Sequence, residues 1–153
     1  MSTSAVSPNT RFVRIAGLVT IIVGGVMLIA GAVTWGAVSS HLTAENITVS
    51  EDAAAFGGQT VNTPWEAYAQ AEIINHHALE ATGGKTYAEL DKEDPLRAVA
   101  MNGSFLRASL FTSVVAFGVA AMAIVLGLMQ VLIGWALVSL SRREEVAYEK
   151  APA

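Results

Sequence analysis

The sequence predicts an all-α membrane protein, an antiparallel two-helix transmembrane hairpin that carries a small, mostly helical extracytoplasmic module. Three observations predict it. Two long stretches, residues 15–38 and 108–140, contain no charged side chain. Arg11 and Arg14 precede the first and Arg142 and Arg143 follow the second. Between the two stretches lie helix-start signatures and ten of the chain's 13 acidic residues. The composition agrees with this reading. Of 153 residues, 53% are hydrophobic and 14% charged, with a mean hydropathy of +0.49, whereas a soluble domain carries roughly 25% charged residues. A chain this short has too little interior to hide such a surplus, so the surplus points to lipid as a second solvent.

Taken in order, residues 1–14 read as a cytoplasmic tail, small and polar up to Thr10. Residues 15–38 are 24 in number, enough to cross a hydrocarbon layer that needs about 20. A cleaved signal peptide is the competing reading, since Ala37-Val38-Ser39 passes as a cleavage triplet. The apolar run, however, is much longer than the usual 7 to about 15 residues of such a peptide.

Residues 39–107 form the outer module. Thr63-Pro64-Trp65-Glu66 is a capping box with Pro at the first helical position, and Gly83-Gly84 ends the pattern, so a helix is expected over 64–82. Thr86-Tyr87-Ala88-Glu89 repeats the signature and predicts a short helix to Lys92. Asp94-Pro95 opens a third helix that runs into the second span, with Asn102-Gly103 as a weak point. Ile47-Thr48-Val49 is the one candidate strand, too short for a sheet of its own. Trp65, Tyr68, Tyr87 and Phe105 are expected to form a small outer core.

Residues 108–140 are the second span with an outer extension, because 33 residues at 1.5 Å each give roughly 50 Å against a core of about 30 Å. The membrane portion is placed from about Val114 to Leu140. Residues 141–153 are the second cytoplasmic tail, expected to be mobile from Glu144 on. Basic flanks stay on the cytoplasmic side, so both termini are placed inside a bacterial plasma membrane. The outer loop then carries four basic against ten acidic residues, a net charge of −6. Trp35 and Trp135 fit the aromatic belts at the two faces.

Small residues recur on one face of each span. Gly17, Gly24 and Gly31 are seven apart, with Thr20 between them and Met27 and Thr34 completing the stripe. The second span offers Ser113, Ala116, Ala120, Ala123, Gly127, Gln130 and Gly134. Helices in lipid associate where small side chains let backbones approach, and heptad spacing selects a left-handed crossing. Gln130, costly against lipid, is expected to face Thr20, Gly24 or the Met27 backbone.

Chemistry-bearing patterns are sparse. Glu72, His76 and Glu80 lie at i, i+4 and i+8 on one helical face and, with His41, are the candidate metal ligands. Gly84-Lys85-Thr86 resembles the end of a P-loop, but Leu79 stands where the first Gly is required; a helix end followed by a cap explains it. No Gly-x-Ser-x-Gly elbow or triad is present. Asn46-Ile47-Thr48 and Asn102-Gly103-Ser104 match the glycosylation pattern by accident of composition. The absence of Cys removes disulfide, zinc-thiolate and iron-sulfur chemistry, and a net charge of −4 argues against nucleic-acid binding. No cofactor is expected.

Three further stretches carry a family resemblance. They are Tyr68-Ala69-Gln70-Ala71 with Ile73-Ile74-Asn75, Gly83-Gly84-Lys85-Thr86-Tyr87-Ala88-Glu89-Leu90-Asp91, and Ser104-Phe105-Leu106-Arg107-Ala108-Ser109-Leu110-Phe111. With them, residues 11–140 resemble a family of small two-span membrane proteins of actinobacteria, whose members are often catalogued as a subunit of an aromatic ring-opening dioxygenase. That label implies a non-haem iron held by two His and a carboxylate. No catalytic residue carries over to this chain. The expectation is a noncatalytic accessory or scaffolding subunit docked on a larger envelope complex, such as a respiratory cytochrome supercomplex. The alternatives are a metal-dependent membrane enzyme and a homo-oligomeric structural protein.

Overall fold

A computed structural model describes residues 10–149, with side chains through 142. Three helices follow one another: α1 (Thr10–Ala44), α2 (Pro64–Ala81) and α3 (Leu96–Glu149). The described residues are all-helical apart from loops and one isolated antiparallel bridge, Thr48 to Thr60. α1 and α3 are both long and apolar enough to cross a membrane. Residues 1–9 and 150–153 of the expected tails lie outside the described residues.

Both long helices overrun their apolar stretches. α1 continues past Val38 through Ser39, Ser40 and His41. Thr43 Oγ1 donates to the Ser39 carbonyl at 2.8 Å, and the helix ends where Asn46 turns to φ 53, a left-handed conformation that Asn tolerates better than most residues. α3 continues through 141–149, so the expected mobile tail is helical up to Glu149. Asn102-Gly103 does not interrupt it.

Two compact units divide the chain. One comprises residues 10–32 and 121–149, and the other is Val33–Ala120. In the first, α1 and α3 touch backbone to backbone. A Cβ built on Gly17 would lie 2.8 Å from the Gly134 carbonyl oxygen, and one on Gly24 would lie 2.6 Å from that of Gly127. The reverse pairs are equally tight, at 2.5 Å for Gly134 and 2.7 Å for Gly127. No side chain fits there. The paired numbers rise on α1 as they fall on α3, so the two segments run antiparallel. Gly31 is also buried on the same heptad. Of the α3 stripe, Gly127 and Gly134 are buried, while Ala123 and Gln130 are half-buried at its edge. Val138 and Ser141 complete the buried face. Gln130 Nε2 donates to the Met27 sulfur at 3.3 Å, so it reaches the Met27 side chain and not the backbone. Thr20 Oγ1 turns back to the Ala16 carbonyl at 2.8 Å.

The second unit has a more ordinary core of Leu42, Val49, Val61, Ala67, Ala71, Leu110 and Phe117. Phe117 is 1% exposed and meets Trp35 edge-on at 4.8 Å. Ala120 is buried, while Ser113 and Ala116 are half-buried. The expected aromatic core is not formed. Trp65 is 66% exposed, Tyr68 52% and Phe105 73%, and Tyr87 is also exposed. The inward face of α2 is instead its alanine face, because only small side chains let this helix close on the loop carrying Val49 and Val61. That loop is tied by Val49 N to the Gln59 carbonyl and Val61 N to the Ile47 carbonyl, both 2.9 Å. Residues 47–49 thus pair with 59–61.

The short helix expected after Thr86 is also absent. Its capping contacts form, with Thr86 N and Oγ1 both donating to Glu89 Oε2 at 2.8 Å. The chain nevertheless makes only a turn. Arg97 Nη1 takes the carbonyls of Leu90 at 2.7 Å and Tyr87 at 3.3 Å, acceptors that a continuing helix would use for its own amides.

Candidate functional site

The strongest candidate is an apolar groove of about 620 Å³ in the Val33–Ala120 unit. α2 supplies one wall. Trp65, Tyr68, Ala69, Glu72, Ile73 and His76 follow one another at helical spacing along it, opposite the buried pair Ala67 and Ala71. The loop supplies Asp52, Ala54, Ala55 and Phe56, and α3 supplies Val114.

Each wall is held by identifiable contacts. Glu66 caps α2: its Oε2 accepts from Thr63 N at 2.8 Å and from the Thr63 hydroxyl. The loop is anchored to α2 by Ser50 N, which donates to Gln70 Oε1 at 2.9 Å, and by His77 Nε2 against Asp52 Oδ2 at 2.6 Å. The hydrogen bond from His77 holds the Asp52 carboxyl below its ordinary pKa. Phe56 sits at φ 63, an unusual conformation for an aromatic residue; the loop is fastened on both sides by Gln59 N to the Phe56 carbonyl and Gly58 N to that of Val49. Tyr68 meets Phe111 edge-on at 5.7 Å. A second groove of about 670 Å³, on the other side of α2, is lined by His41, Gln70, Ile74, Phe105 and Leu106 among others.

The candidate metal ligands do not converge. His76 Nε2 lies 3.2 Å from Glu80 Oε1, Glu72 Oε1 lies 3.3 Å from Arg107 Nη2, and His41 lines the second groove. Among the described residues no group of three or more His, Cys, Asp or Glu is placed to hold a metal ion. The donor set for a two-His, one-carboxylate iron therefore does not fit: His76 turns to Glu80, His77 to Asp52 and Glu72 to Arg107.

The groove has a sequence signal that the metal candidates obscured, the recurrence of 65, 68, 69, 72, 73 and 76 on one helical stripe. Asp52 and Arg107 had none, because their partners lie 25 and 35 residues away. Comparison with protein-family models, curated proteins and solved structures finds no match.

Proposed function

We propose that this chain is a noncatalytic membrane subunit that spans the bilayer as a two-helix hairpin with both termini in the cytoplasm, and that docks through its outer module on a larger envelope complex. Support for the spans comes from where the apolar side chains lie. In the most apolar 18-residue window of each long helix only 17% is buried, whereas a core helix of a soluble protein would be buried through most of its length. Ile22, Val26 and Ile29 on α1 and Val125, Leu132 and Ile133 on α3 are all exposed, which suits a lipid surround. Arg11, Arg14, Arg142 and Arg143 give the orientation. A single Cys at the exposed Thr60, in this Cys-free chain, should react with an impermeant maleimide in intact cells, and one at Ser4 only after lysis. The opposite pattern would reverse the topology.

The docking reading is carried by one observation, the Trp65 and Tyr68 faces left open on a groove of about 620 Å³. Aromatic side chains on a concave apolar surface are what interface centres use. A photo-crosslinking amino acid at Trp65 should give a discrete adduct with a different, larger membrane protein in native membranes. A respiratory cytochrome complex is the specific partner to look for. Adducts with lipid alone, or only with a second copy of the chain, would overturn docking on a larger complex.

A further inference from the structure

We propose that Lys85, Asn75, Ser104 and Arg107 form a binding site for a phosphate group, that of an anionic lipid headgroup at the membrane surface. These four side chains line a small pocket of about 130 Å³ between the end of α2, the loop after it and α3. Its two charged lining residues, Lys85 and Arg107, are both cationic. Arg107 Nε is buried and has no hydrogen-bond partner, since the guanidinium reaches Glu72 only through Nη2. Lys85 makes no salt bridge among the described residues, though its charge reaches the Glu89 carboxylate through space, and the Asn75 and Ser104 side chains make no hydrogen bond among them. Four side chains able to donate therefore meet in one place, and among the described residues only the Glu72 carboxylate, on Arg107 Nη2, is bonded to any of them. A phosphate, whose oxygens only accept when ionised, complements that set.

The backbone holds this arrangement in place. Gly83 and Gly84 take φ 64 and 82, which lets the chain reverse directly after α2. The buried Thr82 then pins the loop, its hydroxyl donating to the Lys85 carbonyl at 2.5 Å and to that of Ala78 at 3.0 Å. On the opposite wall Gly103 brings α3 so close that a Cβ there would lie 2.7 Å from that of Ala78, which sets Ser104 and Arg107 beside the loop. Two of the outer segment's four basic residues are thus gathered in a region whose net charge is −6.

The lipid source follows from the neighbouring hollow. Ser104 and Arg107 also line a second space of about 310 Å³ that continues over Ala108 and Phe111, and Arg107 is the last charged residue before the apolar stretch of α3. A headgroup held by the donors would lay its chain along that stretch. The anion site stands on the four donors, and only the lipid source rests on the membrane reading above.

The test uses the full-length protein in a zwitterionic detergent and in phosphatidylcholine nanodiscs. Thermal stability is followed while inorganic phosphate is titrated in detergent and phosphatidylglycerol is titrated in nanodiscs, and native mass spectrometry counts retained lipid. Phosphatidylglycerol should raise the melting temperature and remain bound as one molecule. Lys85→Gln should weaken it roughly tenfold, and Ser104→Ala by a smaller factor, because the first removes a full positive charge and the second only a hydroxyl donor to the anion. Arg107→Gln should abolish the effect, but Arg107 also pairs with Glu72, so Lys85→Gln is the deciding variant. Stabilisation by inorganic phosphate alone, with the same loss in Lys85→Gln, upholds the site and assigns it to a soluble phosphate. No response to either, or wild-type titration of both Lys85→Gln and Ser104→Ala, overturns the proposal.

Discussion

The two compact units solve the problem of holding helices together in opposite ways. In residues 10–32 and 121–149 the contact is made by what is missing: Gly17, Gly24, Gly127 and Gly134 leave the backbones against each other, and a side-chain hydrogen bond runs beside them from Gln130 to the Met27 sulfur. In Val33–Ala120 the elements are separated by side chains and fastened by polar ties such as Ser50 to Gln70, Asp52 to His77 and Glu72 to Arg107. The difference teaches where each unit is vulnerable. The first is vulnerable to any added volume on its buried seam, whereas the second has many small ties, each replaceable at modest cost.

The largest effect is therefore expected at the glycine seam. Gly24→Leu and Gly127→Leu must each displace a backbone carbonyl, at a cost of about 1–3 kcal/mol or more per site. Gly25→Leu and Gly118→Leu, where an added Cβ meets nothing within 4 Å, should be neutral. Thermal unfolding in detergent of the four variants separates seam from surface, and equal behaviour would remove the distinction. Gly103→Leu comes next, since it tests whether the second unit holds any contact of the same kind. A loss of about 1–3 kcal/mol is expected, with amide exchange accelerated around Ala78 and not around Gly24.

Smaller still is Glu66→Ala. It removes the acceptor that caps α2, and about 1 kcal/mol is the usual cost of losing such a cap; Glu66→Gln should recover part of it. The smallest effect is a pH dependence. The Asp52 carboxyl is held below its ordinary value of 3.8 by the hydrogen bond from His77. Its contribution is thus fully present above that value and is lost as pH falls through the lowered folded value. Acid titration followed by the His77 ring resonances should show the loop loosening only in that acid range, and Asp52→Asn should flatten the curve.

Much of this organisation was legible in the sequence, for particular reasons. Uncharged stretches announce long apolar helices because charge is the property lipid least tolerates, and the heptad glycines announce the seam because no other residue permits backbone contact. The α2 start was readable from Thr63-Pro64-Trp65-Glu66. An equally good signature at Thr86-Tyr87-Ala88-Glu89 failed, because a cap satisfies only the first amides and Arg97, eleven residues on, competes for the carbonyls. The inward face of α2 was misread for a related reason. Trp65 and Tyr68 and the alanines at 67 and 71 mark two helical stripes of equal regularity, and hydrophobic size alone favours the wrong one. What decides is how closely the facing loop must approach, a distance set by Val49 and Val61 and not written in α2 itself.

The meeting of Ala78 with Gly103 carries one last consequence. Between these positions there is room for a single methyl group, and nothing in the contact requires that methyl to belong to α2. Moving it across, with Ala78→Gly and Gly103→Ala together, should restore a stability that Gly103→Ala alone lowers. The two positions would then be expected to change as a pair, so that each constrains the other more strongly than either constrains its neighbours along the chain.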